Sequence, residues 1–71
     1  MDRVVKEFGE FIKERRMEKD MSQADVAKLL GISQVSYGRY ELGIRDPGLP
    51  MILKIADVLD FAPGDFFDRY I

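Results

Sequence analysis

The sequence predicts an all-α domain of five short helices, and three observations carry that prediction. Apolar residues recur at three- and four-residue spacing in five separate stretches. Serine, glycine and proline punctuate the joins, most sharply as Ser22, Gly31, Ser33 and Gly43. The 71 residues leave room for one domain, residues 1–71. Its single core is only marginally able to offset chain entropy, so short helices and short loops are the economical solution.

The first helix is predicted from about Val4 to Lys19. Val5, Phe8, Ile12 and Met17 lie near one face, with Lys13, Glu14 and Glu18 on the other. Phe11 falls off the apolar stripe and is expected to be an ordinary exposed aromatic, the alternative being packing against the C-terminal segment or a partner. The second helix, Gln23 to Leu30, buries Val26, Ala27 and Leu30 and has Ser22 as a natural N-cap. Gly31 ends it, since a glycine with positive φ permits a sharp turn, and Ser33 offers a second N-cap. Between these caps stands only Ile32, able to plug the angle between the helices, while Ala27 is small enough to let them approach. Residues 22–43 therefore have helix-turn-helix geometry.

The third helix should run from Gln34 to about Leu42. Tyr37, Tyr40 and in part Leu42 face the core, and Gln34, Val35, Ser36 and Arg39 face outward. Gly43 closes it, and Ile44 to Gly48 form a loop rich in turn residues. Leu49 to Leu59 is the fourth helix, with Pro50 acceptable in its first turn and Ile52, Ile55, Ala56 and Leu59 spaced for burial. A last helix spans about 63–70, with Asp65 near its positive end and Phe66 buried. Phe61, Phe67, Tyr70 and Ile71 leave this end unusually apolar. They form either a dimer face or the completion of the core.

Composition narrows the chemistry. Cysteine and histidine are both absent, which removes disulfides, thiolate and imidazole metal sites and histidine bases. Carboxylates are spread along helix faces rather than paired in a pocket, so no enzyme constellation emerges, and neither a metal nor a cofactor is expected. No apolar run approaches a membrane span, and MDRVVKEF lacks the long apolar core of a signal peptide. A cytoplasmic protein is the expectation. The net charge is −2, opposite in sign to the usual nucleic-acid binder. Asp57, Asp60, Asp65 and Asp68 gather near the C-terminus, however, while Arg39 and Arg45 belong to the third helix and its exit loop.

The stretch SQADVAKLLGISQVSYGRYELG resembles the helix-turn-helix of the phage-repressor and Cro family, whose pattern is S-Q-x-x-L-A-x-x-x-G-[IV]-S-x-x-x-[IV]-x-x-[YW]-E-x-G. The likeness continues in Phe8, Gly9, Ile12 and Arg16 before it and in Pro47, Leu49, Ile52 to Ala56 and Leu59 after it. It covers the chain from about Phe8 to Phe67. The resemblance implies a compact five-helix domain of the lambda-repressor-like type. It also implies a sequence-specific transcriptional regulator that binds double-stranded DNA as a homodimer on a pseudo-palindromic operator.

In such a protein the third helix enters a major groove, where Gln34 can bond adenine, Arg39 can grip guanine and Val35 can touch a thymine methyl. Each good bidentate contact discriminates by about 1–3 kcal/mol, so two half-sites are needed and dimerisation is expected. Ser33, Ser36, Gln23 and Arg45 are the candidate phosphate contacts. Gln23 opens a helix whose positive end favours anions, and the family uses it in that way. Arg45 follows the family's backbone-hugging loop, with Asp46 beside it to tune the contact. The resemblance further implies an Arg16–Glu41 pair, with guanidinium donors of Arg16 left for phosphate.

Most positions match the family, and three differences bear on structure. Tyr37 replaces a buried Ile or Val and brings a hydroxyl that needs a partner. Gly38 stands mid-helix, at a cost of about 1 kcal/mol relative to Ala. The pair is expected to accommodate one another sterically, the alternative being that Tyr37 reaches the DNA backbone and Gly38 permits close approach. Asp60 stands where the family prefers Gly, so that helix end should be strained or differently capped. A second functional class stays open, a protein-interaction module such as an antitoxin or co-regulator, favoured by the acidity and the apolar C-terminus.

Overall fold

The computed structural model describes residues 3–70, and Ile71 lies outside them. The described residues form five helices and no strand: α1 (Arg3–Glu18), α2 (Gln23–Leu30), α3 (Gln34–Leu42), α4 (Gly48–Val58) and α5 (Pro63–Tyr70). Helix α1 packs on α3 and α5, α2 packs on α3 and α4, and α4 meets α5.

The core is built where these faces converge. Phe8, Phe11 and Ile12 of α1, Val26, Ala27 and Leu30 of α2, and Tyr37 and Tyr40 of α3 are buried together with Ile55, Ala56, Leu59, Phe61 and Phe66. Four of them form an aromatic cluster: Phe11 meets Phe61 edge-on at 4.9 Å between ring centroids and Phe66 at 5.4 Å, while Phe8 meets Phe66 edge-on at 5.2 Å. Edge-to-face pairs at such separations add to the burial of their area.

This cluster corrects two expectations. Phe11 is not an exposed aromatic but a core residue packed on the C-terminal segment, and Phe61 is not available to a dimer face, both being almost fully buried. Phe67 and Tyr70 do stay outside, at 49% and 38% exposure. Met17 and Leu42, expected wholly or partly on the core side, are exposed. The inward line of α1 runs Phe8, Ile12, Arg16 at four-residue spacing, and Met17 sits roughly 100° around the helix from Arg16. Leu42 is turned away by the same geometry, because Tyr40 and Glu41 hold the inward positions of α3.

Asp60 adopts the left-handed conformation, with φ of 55°, at the end of α4. That conformation costs a non-glycine residue about 1–2 kcal/mol. Two contacts help hold it: its carbonyl accepts from Arg15 Nη2 at 3.0 Å, and its carboxylate pairs with Lys19 at 2.8 Å. The start of α4 has no side-chain cap of its own, but Asp46 reaches forward to accept from the Gly48 N–H at 2.9 Å.

Candidate nucleic-acid interface

Local chemistry sets the angle between α2 and α3. Ser22 caps α2 in a reciprocal box: its hydroxyl accepts from the Asp25 N–H at 3.0 Å and the Asp25 carboxylate accepts from the Ser22 N–H at 3.0 Å. Gly31 ends the helix at φ 73°, and the Ile32 N–H donates back to the Ala27 carbonyl at 3.0 Å. Ser33 then caps α3, accepting from the Ser36 N–H at 3.1 Å and donating to the Ser36 hydroxyl at 2.9 Å. Ile32 is half-buried against the core in the angle so formed.

The far end of α3 is held by charge. Glu41, its side chain 2% exposed, accepts from Arg16 Nε at 2.6 Å and Nη2 at 3.1 Å, and from Gln23 Nε2 at 3.0 Å. The remaining Arg16 nitrogen, Nη1, donates to the Met21 carbonyl at 2.8 Å. Each of the three guanidinium nitrogens thus makes one hydrogen bond within the protein, which leaves one N–H on Nη1 and one on Nη2. Burial pushes the Glu41 carboxyl upward, but the donors around it outweigh burial and hold it below the ordinary carboxylate value. Tyr37, one turn earlier, is fully buried, and its hydroxyl lies beside the Glu41 carboxylate and Arg16 without a well-aligned hydrogen bond to either. Burial, and then the adjacent Glu41 carboxylate, as an acceptor and as a charge, push its phenol well above the ordinary value.

Close backbone approach completes the mount. A Cβ on Gly9 would lie 2.5 Å from the Tyr40 carbonyl oxygen and 2.6 Å from that of Glu41, so α1 and α3 cross with only a hydrogen between them. Gly43 ends α3 at φ 72°, and a Cβ there would meet Lys6 Cα at 2.6 Å.

With one side of α3 fixed, the opposite side is free. Gln34, Val35 and Arg39 are all exposed, Val35 at 64% although it is apolar. Ser33 is exposed beside them and Ser36 is half-buried. Arg45 is exposed in the loop leaving α3. Gln23 sits against α3, its Oε1 3.3 Å from where a Gly38 Cβ would stand. Gly38 thus makes room for Gln23, and Tyr37, being buried, is not directed at a ligand. Sequence reasoning missed the Gln23–Glu41 bond. The four-residue interval between Tyr37 and Glu41 was the available sign that this turn of α3 gathers polar groups inward.

Among the described residues no cluster of acidic side chains could hold a metal ion, and no helix is long and apolar enough to cross a membrane.

The helix-turn-helix family model matches residues 12–66. A prophage-derived helix-turn-helix transcriptional regulator of Bacillus subtilis, YonR, is 40% identical over 52 residues, which are 73% of this chain and 48% of that protein. The transcriptional repressor RstR of the cryptic phage CTXphi of Vibrio cholerae is 35% identical over 49 residues, 69% of this chain and 44% of that protein. This chain therefore spans about half the length of these curated relatives. Among solved structures, the restriction-modification controller protein C.AhdI of Aeromonas hydrophila superposes with a TM-score of 0.80 at 36% identity, covering 89% of this chain and 94% of that one.

Proposed function

Because this chain belongs to the helix-turn-helix family, we propose that it is a sequence-specific transcriptional regulator that reads double-stranded DNA with α3, as a homodimer on a pseudo-palindromic operator. The observation that carries the reading is the exposed first turn of α3. Gln34 and Val35, with Arg39 one turn on, form an outward face that the core does not use, on a helix anchored on its other side. A helix so mounted can enter a major groove as a rigid body, where glutamine, arginine and valine have distinct partners among base edges. Ser33, Ser36, Gln23 and Arg45 surround that face as phosphate contacts, which fix register rather than sequence. The relatives named as transcriptional regulators and the controller protein support this assignment.

Dimerisation follows from specificity. Few base contacts from one α3 discriminate weakly, and a second copy on an adjacent half-site doubles them. Phe67 and Tyr70, exposed on α5, are the remaining apolar candidates for the contact between copies. The same end of the molecule favours a second reading, a protein partner. A groove of about 210 Å³ lined by Val4, Val5, Phe8, Ile52, Phe66 and Phe67 opens beside α5.

The test is selection of bound duplexes from a random library at moderate salt. An enriched inverted repeat with half-site centres about one helical turn apart supports both DNA reading and two-fold assembly. A folded protein that enriches nothing moves the assignment to the protein-interaction reading.

A further inference from the structure

We propose that Gly38 is a positioning residue, whose bare backbone seats the Gln23 side chain on α3 and so holds the Gln23 amide in one orientation at the start of α2, where a DNA phosphate is to be met. The proposal rests on the DNA-binding reading for what the amide meets, whereas the seat itself belongs to the free protein.

The Gln23 side chain is held at both ends. Its backbone opens α2, and the reciprocal cap of Ser22 and Asp25, with bonds of 3.0 Å each way, fixes that first turn. Its tip donates from Nε2 to Glu41 Oε1 at 3.0 Å, and Glu41 is itself clamped by Arg16. A carboxylate only accepts, so the amide has one orientation there, with Nε2 toward Glu41 and Oε1 away from it. The second N–H of Nε2 is left for another acceptor, and the residue is only half-buried.

Between its two ends the amide lies across Gly38. A Cβ at that position would stand 3.3 Å from Oε1 and 3.9 Å from both Cδ and Nε2. The first distance is closer than comfortable van der Waals contact, so any side chain at this position forces the amide to shift. With the root of Gln23 fixed, that shift is taken up in its bond to Glu41. Gly38 follows Gln34 by four residues and precedes Arg39, so it lies on the partly exposed side of α3 that carries the outward residues. At such a mid-helix position alanine is favoured over glycine by about fivefold in the helix equilibrium, and the Gln23 seat is what stands against that loss. The consequence is that one donor is fixed by two helices, by the first residue of α2 and by a missing side chain of α3, and is thereby placed relative to Gln34, Val35 and Arg39.

The test is a double-mutant cycle of the parent, Gly38→Ala, Gln23→Ala and the double variant, read by denaturant unfolding without DNA and by affinity for the selected duplex. In the Gln23→Ala background, where the seat is empty, Gly38→Ala should raise the folding equilibrium constant about fivefold through helix propensity. In the parent the same change should raise it by less than about twofold, because the methyl group strains the bond to Glu41. On DNA, Gly38→Ala should weaken the parent about three- to tenfold and leave Gln23→Ala unaffected. Base preference and salt slope should not change, because the displaced donor is neutral and touches no base. The side-chain amide signals of Gln23 in a heteronuclear NMR spectrum give a reading that needs no second variant, since Gly38→Ala should move them toward those of a solvated glutamine. Equal gains in stability from Gly38→Ala in both backgrounds, or unchanged Gln23 signals, overturn the seat. Equal losses of DNA affinity in both backgrounds overturn it too, since the methyl group then acts on DNA directly. Coupling in unfolding with no DNA binding by the parent upholds the seat and removes the DNA-binding reading instead.

Discussion

Arg16 of α1 and Glu41 of α3, separated by 25 residues in the chain, meet in a two-point ion pair, Nε to Oε2 at 2.6 Å and Nη2 to Oε1 at 3.1 Å. The pair joins the first helix to the end of the helix that presents Gln34, Val35 and Arg39, so rigidity of that surface depends on a contact far from it. Removing one partner leaves the other largely buried without its countercharge. Glu41→Ala should therefore destabilise the fold by about 3–5 kcal/mol, measured by denaturant unfolding at neutral pH. Glu18→Ala, which loses an exposed contact with Arg15 at 3.9 Å, should cost far less, within about 1 kcal/mol.

The same carboxylate gives stability a pH dependence. Glu41 sits below its ordinary value of 4.5 in the folded state, so the unfolded chain binds protons more readily in acid. Its contribution is complete above that ordinary value and is lost as pH falls through the folded one. In unfolding series at successively lower pH, the stability difference between the parent and Glu41→Gln should shrink below about pH 4.5. At the alkaline end the sign reverses. Tyr37 is raised above its ordinary value of 10.0, so its contribution is complete below that pH and is lost above it. Tyr37→Phe should resist alkaline unfolding better than the parent.

Gly9 and Gly64 should respond in opposite directions to alanine. At Gly9 the new Cβ would lie 2.5 Å from backbone oxygen of α3, which cannot move without opening the α1–α3 crossing. A loss of about 1–3 kcal/mol is expected, with a looser mounting of α3. Gly64 lies in α5 with nothing within 4 Å of its missing Cβ, and Gly64→Ala should stabilise by up to about 1 kcal/mol through helix propensity and unfolded-state entropy. Thermal unfolding of the two variants checks both signs.

Arg39 and Arg45 should separate by what they change on DNA. Arg39→Ala should cost about 1–3 kcal/mol on the preferred duplex and relax preference at one base position. Arg45→Ala should weaken all duplexes alike and reduce the salt slope by about one phosphate contact. Library selection and salt titration of both variants distinguish them. Identical base preferences in Arg39→Ala and the parent would remove Arg39 from the reading face.

The five helices and the turn between α2 and α3 were legible in the order of residues. Those depend on local chemistry: Ser22 and Ser33 cap because their oxygens reach N–H groups three residues on, and Gly31 and Gly43 stop helices because they accept φ near 72°. The outward direction of Gln34, Val35 and Arg39 was legible for the same reason, since it is fixed once α3 has an inward face. Contacts between helices settled the burial of Phe11 and Phe61 and the direction of the Gln23 amide. Phe11 lay off the apolar stripe of its own helix and became buried because Phe61 and Phe66, distant in sequence, arrived to cover it. Gln23 looked free for a ligand at its helix end, yet its amide bonds Glu41, 18 residues away. Periodicity reports the environment a helix provides for its own residues. A partner that folding brings from elsewhere in the chain leaves no mark on that period, and in a core this small such partners decide both burial and hydrogen bonding.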